Sequence, residues 1–199
     1  DTVSGTTTRR IIYIDNSTMP TELHFGGSSY NDSLLTVEYL NIDSNITKLN
    51  ECFYRCRKLQ RVNTSNWDTS NCTTFSRFCD DCDSLVEIDV SHFNVSKANG
   101  AFYKMFHGVK AEVLDVSKWN VNTTDGSLGG MFEGCSNVKN LDLSNWKMKI
   151  VHTTGSDTGI YSAFSGCSSL EYLDLSGFDF SEMNGAMENM FKNCSSLRE

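Results

Sequence analysis

The sequence predicts an α/β repeat solenoid: a right-handed coil with parallel strands on one wall, short helical turns on the opposite wall, and an N-terminal β cap. Three observations predict it. A phrase recurs: Met131-Phe132-Glu133-Gly134-Cys135-Ser136-Asn137-Val138, running into Leu141-Asp142-Leu143-Ser144-Asn145-Trp146, returns as Ala163-Phe164-Ser165-Gly166-Cys167 followed by Leu173-Asp174-Leu175-Ser176-Gly177-Phe178. Its register is periodic, with equivalent positions at Asn63, Asp89, Asp115, Asp142 and Asp174, in steps of 26, 26, 27 and 32 residues. Each unit also divides into two halves of different apolar spacing, and one unit alone cannot bury its apolar face.

The chain opens with two strand-like runs, Arg9-Arg10-Ile11-Ile12-Tyr13-Ile14-Asp15 and Thr21-Glu22-Leu23-His24-Phe25-Gly26-Gly27, expected as a cap within residues 1–36. Residues 37–199 form the array of about five units. In each, a run such as Val86-Glu87-Ile88-Asp89-Val90-Ser91 alternates apolar with polar residues, as a strand with one wet face does. The other half carries Met-Phe-x-x-Cys-x-x-Leu. There Met131, Phe132, Cys135 and Val138 fall on one side of a helical or 3₁₀ turn. Four residues after each register position stands a ring: Trp67, Phe93, Trp119, Trp146 or Phe178. These rings read as core wedges between strand and loop, with a ligand-stacking platform as the alternative.

The register has breaks. Phe78-Cys79 stands where Met131-Phe132 stands in a later unit, Val109 replaces a cysteine, and one residue is missing before Asp115. The fourth unit is longer, and its extra residues fall within Lys149 to Tyr161, around His152-Thr153-Thr154-Gly155-Ser156-Asp157-Thr158-Gly159. Such insertions map to loops. A surface loop without function is the plainer reading, and a contribution to a binding face the other.

These residues resemble the bacterial BspA-like leucine-rich-repeat surface proteins, in the branch whose repeat reads Met-Phe-x-x-Cys-x-x-Leu-x-x-Leu-Asp-Leu-Ser-x-Trp/Phe-Asp-Thr-Ser. Ser65-Asn66-Trp67-Asp68-Thr69-Ser70-Asn71 is similar to its second half, and Met190-Phe191-Lys192-Asn193-Cys194-Ser195-Ser196-Leu197 to its first. The resemblance covers about Val37 to Glu199 and leaves out residues 1–36. It implies a leucine-rich-repeat-like coil in an extracellular, secreted or surface-attached bacterial protein with a role in adhesion, host contact or colonisation. It carries over no ligand-binding or catalytic residue.

Composition narrows the function classes. A net charge of −8 argues against nucleic acid and acidic membranes, which need clustered Lys and Arg, and permits a basic partner. There is no apolar run long enough to span a membrane. The opening Asp1-Thr2-Val3-Ser4-Gly5 is polar, unlike a signal peptide. The chain stops just before the next Leu-Asp-Leu-Ser is due, so more repeats are expected beyond it. An exposed coil end is then expected to favour self-association.

Eight cysteines invite a disulfide or zinc reading, which the repeat removes for most of them. Cys56, Cys82, Cys135, Cys167 and Cys194 share one slot, which Val109 fills once. Valine can replace a core thiol but not a disulfide partner or metal ligand, so reduced core thiols are expected. Cys52 and Cys79 fall on the same apolar face. Cys79-x-x-Cys82 lacks a second pair at zinc spacing. Cys72 lies outside the ladder and is the thiol expected at the surface. No metal or cofactor is expected. His24, His92, His107 and His152 share no motif, and no nucleophile–base signature occurs, so no enzyme is expected. Asn-x-Ser/Thr sequons such as Asn45-Ile46-Thr47, Asn94-Val95-Ser96 and Asn122-Thr123-Thr124 are treated as composition, glycosylated only in a eukaryotic secretory host.

The candidate site is the strand face. If Leu141 and Leu143 point inward, stacking builds an outer column of Asn63, Asp89, Asp115, Asp142 and Asp174. Beside it run a column of Ser65, Ser91, Ser117, Ser144 and Ser176 and a variable one of Arg61, Glu87, Val113, Asn140 and Tyr172. Charges about 5 Å apart repel by roughly 1–3 kcal/mol per neighbour, so something must offset the acidic column. Hydrogen bonds from a neighbouring turn or serine are the structural reading. A basic partner or Ca²⁺ is the functional one, without a calcium motif behind it. The expected function is a non-enzymatic surface module for adhesion or recognition. Its partner would be a protein or glycan of a host or neighbouring cell, bound along the strand face from Glu87 to Tyr172. A structural spacer is the first alternative and an enzyme the second.

Overall fold

A computed structural model describes residues 21–123, 127–150, 159–182 and 187–198. The expected strand Arg9–Asp15 and residues 151–158 of the expected insertion lie outside the described residues. Eight short strands appear in chain order: β1 (Thr36–Val37), β2 (Arg61–Val62), β3 (Glu87–Ile88), β4 (Asn122–Thr123), β5 (Asn140–Asp142), β6 (Lys147–Lys149), β7 (Tyr172–Asp174) and β8 (Phe178–Asp179). Every pairing is parallel; those of β1-β2-β3 and β5-β7 join the same position of successive repeats, whereas those of β4, β6 and β8 slip by two residues in each repeat. The expected strand wall is present as β1-β2-β3 and β5-β7. A second wall, β4-β6-β8, was not foreseen. At the N-terminal end, residue Glu22 bridges Lys48 in parallel, and the Phe25 ring stacks on Phe53 at 5.4 Å.

The expected helical turns are corrected: the described residues contain no helix. Two residues in each Met-Phe-x-x-Cys turn adopt left-handed backbone, four positions apart. They are Glu51 and Arg55, Arg77 and Asp81, Lys104 and Gly108, Gly130 and Gly134, Ser162 and Gly166, and Asn189 and Asn193, with φ between 50° and 82°. A left-handed residue ends a right-handed helix, so the apolar spacing survives as separate tight turns. The amide donors then alternate. Cys52 and Cys56 donate locally, to Leu49 and Phe53, whereas Glu51, Phe53 and Arg55 donate to Ser76, Phe78 and Asp80 of the next repeat. The turn wall is thus hydrogen-bonded along the stack as a sheet would be, without being one.

The rings are core wedges, as expected. Trp67, Phe93, Trp119, Trp146 and Phe178 stack face to face, 5.9–6.4 Å apart and within 19° of parallel. Offset stacks at this spacing add to the stabilisation from burial. Each tryptophan donates its indole N–H to a backbone carbonyl of the preceding repeat: Trp67 to Leu40, Trp119 to Val90, Trp146 to Val116.

The cysteines are free thiols, all buried except the half-buried Cys194. In the ladder slot the thiols of Cys82, Cys135, Cys167 and Cys194 donate to the carbonyls of Phe53, Phe106, Phe132 and Phe164, at 3.0–3.1 Å. Burial pushes the Cys56 and Cys167 thiols up to about 12. The expectation of a surface Cys72 is overturned. Its side chain is fully buried, its thiol donates to the Ile46 carbonyl, and burial pushes it up to about 12. Cys72 belongs to a second ladder, Ile46–Cys72–Ala98, in which each amide closes the same tight turn.

Candidate functional site at the interrupted strand wall

The register column makes the serine hydrogen bonds that the structural reading expects. Asn63, Asp89, Asp115, Asp142 and Asp174 each accept the backbone N–H of the serine two residues on, at 2.8–3.1 Å. This Asx turn fixes the corner at which the strand leaves the wall. The Ser91 side chain and amide hold the Asp89 carboxyl below the usual range, and the Ser176 amide and side chain do so for Asp174, burial opposing in both. A second corner repeats the device, Asp68, Asn94 and Asp179 accepting from Ser70, Ser96 and Ser181. Much of the acidic excess therefore sits at corners.

The variable column is brought together only in part. Arg61 pairs with Glu87 in the ladder and reaches its carboxylate at 2.7 Å. Asn140 pairs with Tyr172 and Asp142 with Asp174 in the second ladder, and the Tyr172 hydroxyl donates to Asp174 at 3.2 Å. Val113 and Asp115 lie between these two groups, paired with neither.

The break has a cause in the sequence. Seven residues separate the ladder slot from the register position in the neighbouring repeats, Cys82 to Asp89 and Cys135 to Asp142, but six separate Val109 from Asp115. Ala111 therefore fills the place of Leu85 and Val138, buried but smaller. A one-residue shift disturbs the hydrogen-bond register of a strand. Lys110 still donates its amide to Leu85, but no backbone N–H of residues 111–116 has an acceptor among the described residues. The strand wall opens there into a cleft of about 460 Å³. On its sides Val86 and Val113 are 56% and 70% exposed, and Glu87, Asp89, Glu112 and Asp115 surround them. Lys110, the one cation lining it among the described residues, turns its ammonium to the Gly134 carbonyl at 2.8 Å. Sequence reasoning placed Glu87, Asp89, Val113 and Asp115 on this face and missed Val86, Lys110, Glu112 and Asn137. The missing residue before Asp115 was the signal that could have located them.

One other cluster stands out, on the turn wall. His107 Nδ1 lies 2.7 Å from Asp80 and 3.3 Å from Asp81, three groups that could jointly hold a metal ion. Arg77 and Arg55 already approach the two carboxylates, at 3.9 and 3.8 Å. The cluster reads as an ion-pair network within the turn wall. Burial lowers the affinity of His107 for its proton, but the hydrogen bond and charge of Asp80 outweigh this and raise it.

Parallel pairing once per repeat and a shared ladder of rings and thiols define a repeat protein built on stacked turns. The chain belongs to the family described as Mycoplasma protein of unknown function, DUF285, whose model matches residues 36–146 and 102–199. No curated protein matches it. Among solved structures it is similar to the crystal structure of the TLR13–ssRNA13 complex, at 14% identity and a TM-score of 0.25, over 85% of this chain and 34% of that one. The chain thus spans about a third of that receptor chain's length, and so low a score carries no argument.

Proposed function

We propose that this chain is a non-catalytic recognition module, a right-handed BspA-like leucine-rich-repeat solenoid displayed outside a bacterial cell. It holds a protein or glycan partner against its strand wall, in adhesion to a host or neighbouring cell. The observation that carries this reading is the cleft where the repeat register breaks. A spacer has no need of such an opening, whereas a recognition surface needs a concave, partly apolar place with polar groups around it. Burial supports the absence of catalysis, since it holds the thiols of Cys56, Cys72 and Cys167 in their neutral, unreactive form.

Surface plasmon resonance of the protein against matrix proteins, mucins and glycans tests the proposal. The control carries Asp89, Asp115 and Asp142 changed to Asn, which keeps the corner acceptor and removes the charge. Saturable binding lost in the folded control places recognition on this face. Absence of saturable binding across the panel returns the chain to the spacer reading.

A further inference from the structure

We infer that the occupant of the strand-wall cleft is an extended, cationic peptide segment with apolar residues between its basic ones. The inference rests on the proposed recognition role and names the partner's chemistry. Three features of the cleft select that chemistry.

The first is main chain. Residues 111–116 offer amides without acceptors, between the edge of β3 on one side and β5 on the other. Glu112 and Val113 are exposed, so this stretch runs along the surface. An exposed strand with unpaired backbone is a template for another extended chain, which supplies the missing carbonyls and amides at once. A glycan offers hydroxyls without the strand's regular alternation of donor and acceptor.

The second is charge. Glu87, Asp89, Glu112 and Asp115 bring four carboxylates to the cleft, against Lys110, whose ammonium is already held by Gly134. Glu87 shares Arg61, and Asp89 and Asp115 each spend one oxygen on a corner serine. Among the described residues, Glu112 faces no cation within ion-pair distance. Such a field attracts lysine or arginine and repels an acidic chain. The third is the checkerboard of Val86 and Val113 among these acids. A strand alternates its side chains, so a segment alternating basic and apolar residues sets its apolar side chains against the valines.

The test uses the folded protein and a synthetic peptide of about ten residues alternating Lys and Val, followed by isothermal titration calorimetry. Controls are the Glu–Val counterpart and a Lys–Val peptide with alternate amides methylated. The protein arms are Glu112→Lys and a register-restoring variant, with one serine inserted between Lys110 and Ala111 together with Ala111→Leu. The insertion restores seven-residue spacing, closes the cleft and leaves the surface acids in place, so folding is expected to improve.

The expected result is saturable binding of the Lys–Val peptide alone. It should weaken on the order of tenfold between low and moderate salt, as charge-steered contacts do. It should weaken at least as much in Glu112→Lys and vanish in the restored variant. Equal binding of the methylated peptide, or no binding of the Lys–Val peptide, overturns the inference. If a glycan or an acidic ligand binds instead and is lost in the restored variant, the recognition role stands and the cationic segment falls. If peptide binding survives in the restored variant, the cleft is not the site and both fall.

Discussion

Replacing His107 with alanine should destabilise the protein by about 3 kcal/mol, because it strands a buried charge. The Asp80 side chain is only 4% exposed, and its nearest partner is His107 Nδ1 at 2.7 Å. With the imidazole gone, Asp80 keeps only Arg77 among the described residues, at 3.9 Å. Removing one partner of a buried ion pair costs about 3–5 kcal/mol, and the low end applies here because Arg77 remains and the histidine is a quarter exposed. Adding Asp80→Asn to His107→Ala removes the stranded charge. The double variant should therefore lose on the order of 2 kcal/mol less than the sum of the two single losses. Urea unfolding, followed by tryptophan fluorescence and far-ultraviolet circular dichroism, measures all four proteins. The pH dependence gives an independent reading. His107 titrates higher folded than unfolded, so its stabilisation is fully present below about pH 6.5 and is lost as pH rises through the folded value. The wild-type midpoint should fall across that window, and Asp80→Asn should flatten the fall. Strictly additive single losses, or a midpoint that climbs with pH, would refute the argument.

Trp119→Phe should cost about 2 kcal/mol, one part for the indole bond to Val90 and a similar part for about 50 Å² of lost apolar contact. Trp119→Ala should cost roughly 4–5 kcal/mol, and equal losses for the two in thermal melts would contradict the stacked-wedge account. Gly177→Ala should destabilise the last described repeat by about 3 kcal/mol or more, since the new methyl would sit 2.0 Å from the Trp146 carbonyl oxygen. Hydrogen exchange should show opening confined to residues near Gly177. Native-state thiol labelling should modify Cys194 first and leave Cys72 protected until unfolding, and early labelling of Cys72 would place it at the surface after all.

The strand wall was legible because Leu-Asp-Leu-Ser carries both its inward apolar pair and its corner acceptor. The ring column was legible for the same reason, since five aromatics recur at one offset. The turn wall was not, because the cue for left-handed backbone is glycine, and Glu51, Arg55, Arg77, Asp81 and Lys104 adopt it without being glycine. Cys72 was misplaced because its ladder, Ile46–Cys72–Ala98, changes residue type at every step, so its 26-residue period is visible only when burial is known. The wall of β4, β6 and β8 escaped notice because its paired residues Thr123, Met148 and Phe178 share no residue type and sit at different distances from the register position. The cleft was half visible. The missing residue was countable, but its effect depends on which amides lose their acceptors, and spacing alone does not say that.

Glycine takes the left-handed positions of the turn wall only in the middle of the described stack. A side chain there costs about 1 kcal/mol or more that glycine avoids. Gly108, Gly130, Gly134 and Gly166 hold such positions in the middle turns, Asn189 and Asn193 hold them in the last described turn, and Arg55, Arg77 and Lys104 hold earlier ones. The early cations lie over rings: Arg55 over Tyr54 at 4.8 Å, Arg77 over Tyr103 at 5.3 Å, and Lys104 over the same ring at 5.8 Å. Each such contact returns about 0.5–1 kcal/mol at an exposed site. The first turns are therefore fastened from outside by their side chains, the middle ones from inside by a relaxed backbone. Chemistry that acts on arginine or tyrosine would loosen the first turns and pass over the middle ones.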